Sequence, residues 1–146
     1  MLFKNSTVVI LFLLTQIAMA QESQPLAKNI VYAQVGTVIL TGMVGINYER
    51  VVAQNTTVRA AYLRGYRATQ LHTPEKYDNA ASVSGFYTFG KFEVGGGLAY
   101  VLTSNKFAPV FATGFRFQPQ DGGVFGRIGF EYSYFSALQI CMGYCF

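Results

Sequence analysis

The sequence is short of charge: Asp, Glu, Lys and Arg make up only 12% of its 146 residues. An ordinary soluble domain carries roughly 25%. It has no Trp, a single His and only two Cys. Beyond the first 20 residues it also has no apolar run of the roughly 18 residues a membrane-crossing helix needs. Each shortage excludes something. Few charges beside 16% aromatics exclude disorder, and they leave little to cover a water-facing globule. The missing long run excludes a helical membrane protein. One His excludes a clustered metal site of the usual kind, and a formal charge of +4, dispersed along the chain, gives no reason to expect nucleic acid. What is there is one domain's length of β-rich chain whose apolar surface faces something other than water.

The N-terminus reads as an address. Met1-Leu2-Phe3-Lys4 is a short basic start, Val8 to Leu14 is an unbroken apolar run, and Ala18-Met19-Ala20 ends in small residues. These are the three parts of a secretory signal peptide, cut before Gln21. Residues 1–20 are therefore set apart from the fold, 21–28 form a polar leader containing Pro25, and 29–146 form the domain.

Period-2 alternation runs through that domain in eight segments: 29–38, 42–52, 56–67, 80–89, 92–102, 108–118, 123–134 and 137–146. Successive side chains of a strand point to opposite faces, so most segments have one large apolar face and one small or polar face. Val44, Ile46 and Tyr48 alternate with Gly45, Asn47 and Glu49. Val124, Ile128, Phe130, Tyr132 and Tyr134 alternate with Arg127, Gly129, Glu131 and Ser133. The polar face carries Glu49, Arg59, Arg67, Glu93, Arg116, Arg127 and Glu131 together with many glycines. Small residues suit the inside of a narrow barrel, and mixed charges there must nearly balance, because an unpaired interior charge is costly. Aromatics towards strand ends on the other face match a lipid-facing band with aromatic girdles. Arg64 is the exception on that face. The expectation is lipid outside and an ion-pair network inside.

The connections fit. Ala53-Gln54-Asn55, Gly90-Lys91 and Pro119-Gln120-Asp121-Gly122 are turn-like and fall after even-numbered strands. The longest and most polar connection, 68–79, lies at the opposite end with His72, Pro74, Glu75, Lys76 and Asp78.

The ending Tyr144-Cys145-Phe146, with Met142, Ile140 and Leu138 at the same parity, resembles the terminal strand of outer-membrane β-barrels. The segments Tyr48-Glu49-Arg50, Gly95-Gly96-Gly97-Leu98 and Phe115-Arg116-Phe117 through Phe130 are also similar to small, uncharacterised outer-membrane barrels of Gram-negative bacteria. The resemblance implies an outer-membrane address, lipid and lipopolysaccharide as surroundings, and recognition of Tyr144 and Phe146 by the barrel-assembly machinery. It implies no activity and no cofactor.

Candidate chemistry is sparse. Cys141 and Cys145 are four apart on one strand, so their Cα atoms should lie about 13 Å apart, beyond the roughly 7 Å limit of a disulfide. They read as small lumen fillers. Some eight-stranded barrels modify lipid A with a Ser/His pair; His72, Asp78, Ser82 and Ser84 are the residues available, but nothing in their spacing enforces contact. Gly95-Gly96-Gly97 sits inside a strand and signals close backbone approach rather than a phosphate loop. Asp121-Gly122-Gly123 is a hairpin turn and not a calcium loop. The expectation is an eight-stranded, antiparallel, up-and-down transmembrane barrel with a plugged, charged lumen and a structural or surface-interaction role, without catalysis. The alternatives are a lipid A-modifying enzyme and a soluble lipocalin-like carrier.

Overall fold

The computed structural model describes residues 28–38, 41–67, 77–119 and 121–146, apart from the Arg67 side chain. The expected signal peptide and most of the leader lie outside them, as do His72 and the connection 68–76. Eight strands follow one another: β1 Asn29–Val38, β2 Thr41–Ala53, β3 Thr56–Arg67, β4 Tyr77–Phe89, β5 Phe92–Val101, β6 Lys106–Phe117, β7 Gly123–Tyr132 and β8 Ala137–Cys145. Each pairs antiparallel with its neighbours in sequence, and β1 closes on β8. The closure runs from Ile30 opposite Cys145 to Thr37 opposite Leu138. Asn29 and Phe146 extend it by exchanging backbone hydrogen bonds of 2.9 Å in both directions. Closure satisfies every strand edge, which is what an alternating chain with an apolar outside requires.

The end where β1 begins and β8 finishes is called basal here, the other distal. Basal turns are tight: Gln54-Asn55 and Gly90-Lys91 are two-residue connections. Gly90, Gly122 and Gly123 all have positive φ, which is where glycine is needed. Pro109 lies inside β6, where a missing N–H would break a ladder. It sits beyond the pairing of β6 with β7, which starts only at Phe111.

The two faces differ as the alternation requires. Val35, Val44, Ile46, Val83, Leu98, Ile128 and Ile140 form an exposed apolar band. Tyr48, Phe92, Phe117 and Tyr144 flank it basally, and Tyr77, Phe107 and Tyr132 distally. Tyr144 and Phe146 stand on this outer face.

Three expectations need correction. β4 starts at Tyr77, not residue 80, so Asp78 belongs to the wall rather than to the loop. β7 ends at Tyr132, so Tyr134 is not an outer-face residue. It lies in the connection to β8, half-buried, and donates a hydrogen bond to Asp78 Oδ2 at 2.8 Å. The lumen is also less uniformly small and polar than expected. Tyr32, Phe86, Phe125, Phe135 and Leu63 are all inside and almost fully buried. They fit because several face a glycine: Tyr32 and Phe125 are opposite Gly143, Phe86 is opposite Gly95, and Leu63 is opposite Gly45. A Cβ at Gly95 would collide with the Phe86 ring, and one at Gly143 with Tyr32. The glycine run of β5 is thus a place of close approach.

Candidate functional site

The charged residues of the polar face converge inside the lumen, most of them towards the basal end, with Glu131 near the distal end of β7. Glu49 comes from β2, Arg59 from β3, Glu93 from β5, Arg116 from β6, and Arg127 and Glu131 from β7. All six are buried, and Glu49 and Glu131 have no exposed surface. Three arginines and three glutamates give a formally neutral set. That matters because a net charge in a low-dielectric interior would cost several kcal/mol.

The pairing is not the one adjacency suggests. Glu49 lies directly across from Arg59 in the β2–β3 ladder, yet Arg59 donates from Nη2 to Glu131 Oε2 across the lumen, at 2.8 Å. Arg116 and Arg127 face each other across β6 and β7, a like-charge juxtaposition that is unfavourable by itself. Two glutamates resolve it, Glu93 from the neighbouring β5 and Glu49 from β2 across the lumen. Arg116 binds Glu49 and lies 3.4 Å from Glu93, while Arg127 binds Glu93 and lies 3.9 Å from Glu49. Each of these two carboxylates therefore serves both arginines. Tyr32 completes the circuit: it accepts from Arg127 Nη1 at 2.7 Å and donates to Glu49 Oε2 at 3.2 Å. Arg116 Nε also donates to Gln118 Oε1 at 2.7 Å.

Aromatic rings take the guanidinium faces. Arg59 and Arg127 each have Cζ 4.6 Å from the Phe86 centroid. Arg116 lies 5.3 Å from the Phe125 ring and Arg127 5.7 Å from that of Tyr32. In a desolvated site such contacts are worth up to about 2 kcal/mol each. Sequence reasoning found the six charges and missed these rings. The signal was there: Phe125 shares parity with Arg127, and Phe86 with Ser82 and Ser84.

Two apolar clusters flank the charges. Ile30, Tyr32, Phe125, Cys141 and Cys145 pack among them basally, both thiols free and buried. At the distal end Met43, Leu63, Ala80, Val101, Phe135 and Ala137 form a second cluster. Phe135 reaches it from the β7–β8 connection, its ring lying over Gly65.

Of the residues weighed for a lipid-modifying enzyme, Asp78, Ser82 and Ser84 share the inward face of β4, and His72 lies outside the described residues. Ser82 and Ser84 point into the lumen, buried, with no hydrogen-bond partner for either hydroxyl among the described residues. Asp78 is occupied by Tyr134. Arg67 lies in β3 opposite Thr41, and its side chain is outside the described residues.

No family model matches the sequence, and no curated protein matches it either. A solved structure titled "De novo design of transmembrane beta-barrels" aligns over 86% of this chain and 98% of its own, with a TM-score of 0.59 and 17% identity. In fold the chain is an eight-stranded closed barrel like that designed transmembrane one. At this identity the likeness concerns the backbone alone.

Proposed function

We propose that the protein is an exported outer-membrane barrel of a Gram-negative bacterium, with a plugged, charged lumen and a structural or surface-interaction role, and without catalysis. The observation that carries this reading is the combination of a neutral, fully buried Arg/Glu set inside with an apolar, aromatic-rimmed band outside. An eight-stranded interior is just wide enough for side chains to fill it, and the large buried side chains Arg59, Tyr32, Phe86 and Phe125 support that reading. Tight basal turns support a periplasmic basal end, with the connection 68–76 on the outer side. In this reading Ala18 and Ala20 direct removal of a signal peptide. Tyr144 and Phe146, exposed on the last strand, are what the assembly machinery reads. The inward Ser82 and Ser84 support leaving catalysis out.

Membrane fractionation with boiled and unboiled samples on a denaturing gel tests the proposal. Outer-membrane recovery with a heat-dependent mobility shift is the expected result. Release with the soluble periplasm and no shift would overturn it in favour of a soluble carrier. A change in lipid A acylation on expression, abolished by His72→Ala or Ser84→Ala, would overturn the absence of catalysis.

A further inference from the structure

The outer face carries a feature that the plugged lumen does not explain. At the distal half of β8, β1, β2 and β3 a groove of about 680 Å³ runs along the wall. Thr37 and Gly42 floor it, Leu138 and Ile140 form one bank, and Tyr66 and Arg64 line the other. It exists because Gly42 stands at an outward position without a side chain, and the Tyr66 ring leans over it. On the far side of the Leu138–Ile140 ridge lies a second groove of about 630 Å³, bounded by Phe115, Ile128 and Phe130, with no charged residue.

Arg64 is the one charged side chain lining either groove. Its Cζ lies 5.4 Å from the Tyr77 ring, and among the described residues no carboxylate pairs with it. An arginine on a barrel's lipid face costs about 2–4 kcal/mol at mid-membrane and about 0–1 near the interface. Three residues from the distal end of β3, Arg64 is within reach of that interface. A guanidinium stacked on a ring still offers its N–H donors in the fork that suits phosphate oxygens.

We propose that this face binds a phosphorylated, multiply acylated glycolipid of the lipid A type. Arg64 holds a phosphate at the distal interface, and acyl chains lie in the two grooves on either side of the Leu138–Ile140 ridge. One cation beside two adjacent apolar grooves suits a phosphorylated headgroup with acyl chains on both sides of the ridge, and the surroundings of Arg64 favour a sugar in that headgroup. The tyrosines at the Arg64 end, Tyr66 and Tyr77, with ring centroids 6.1 Å apart, suit the sugar at the headgroup level. The assignment rests on the outer-membrane reading, with the distal end outward.

The test is native mass spectrometry of the folded, detergent-solubilised protein with bis-phosphorylated lipid A, its dephosphorylated form and phosphatidylglycerol. The expected result is retention of phosphorylated lipid A, with about tenfold weaker binding for the dephosphorylated lipid and for Arg64→Gln, the loss of one charge-assisted contact. Arg64→Lys keeps the charge and should keep most of the binding. Equal binding of phosphatidylglycerol, or an Arg64→Gln protein indistinguishable from the parent, would overturn the proposal. The heat-dependent mobility shift, run on the same samples, separates the two failures. A shifted barrel that ignores lipid A sinks only this site, whereas a protein that shows no shift sinks the membrane reading itself.

Discussion

Arg127 binds Glu93, donates to Tyr32 and stacks near two rings. Removing it leaves Glu93 with only the longer contact to Arg116, and Tyr32 without its donor. Breaking a buried pair from one side typically costs about 3–5 kcal/mol, because a charge is stranded, whereas replacing the whole set by apolar groups of similar volume can be neutral. Arg127→Leu should therefore lower stability by about 3 kcal/mol in urea unfolding from detergent or lipid, and adding Glu93→Gln should restore part of the loss. An unchanged midpoint in Arg127→Leu would undo the network's structural role. Glycines make a second residue-scale case. A Cβ at Gly95 runs into the Phe86 ring and the Gly85 carbonyl, while one at Gly126 has nothing nearer than 3.9 Å. Gly95→Ala should cost roughly 1–3 kcal/mol by overpacking, with Gly126→Ala close to neutral. Equal effects would mean the interior does not rely on the Phe86–Gly95 fit.

At the scale of an element, the β7–β8 connection matters more than its length suggests. Ser133 to Ser136 is a short link that places Phe135 in the distal cluster and Tyr134 on Asp78 of β4. Phe135→Ala removes a fully buried ring where Gly65 cannot compensate, and should cost about 3–5 kcal/mol. Hydrogen exchange should then quicken first in the distal ends of β3 and β8, and unchanged protection there would show the cap is incidental. This element was not legible in the sequence. Alternation continues through Tyr132, Ser133 and Tyr134 as though the strand went on, and only the fold's need to turn reveals the break. The strands themselves were legible, because a barrel wall enforces period 2 on nearly every residue. β1, for instance, has the bounds the pattern gives. The six lumen charges were legible for the same reason. Their partners were not: Arg59 passes over the adjacent Glu49 for Glu131, two strands that meet only through the closed lumen. Nor were the rings, since bulk argued for the outside while parity argued for the inside. The tendency of Phe86 and Phe125 to sit opposite glycine is a cross-strand property that one strand cannot display.

At the scale of the whole molecule, the described lumen carries paired charges gathered mostly towards the basal end and an apolar cluster towards the distal end. A conducting path needs mobile water or ions along its length. Here the basal charges are mutually neutralised, and the described distal end is lined mostly by apolar side chains, with Asp78 held by Tyr134. The protein reconstituted in a planar bilayer should therefore show no discrete conductance steps. Phe135→Ala alone should not create them, because the basal network stays whole, the Arg127–Glu93 pair included. Opening both halves, by Phe135→Ala together with Arg127→Ala and Glu93→Ala, should yield small steps if the folded barrel survives, which its mobility shift would report. Buried pairs are screened far less by salt than exposed ones. The parent's unfolding midpoint should accordingly hold nearly constant between low and high salt. Steps in the parent, or a midpoint that falls steeply with salt, would mean that water reaches the network and that the lumen opens.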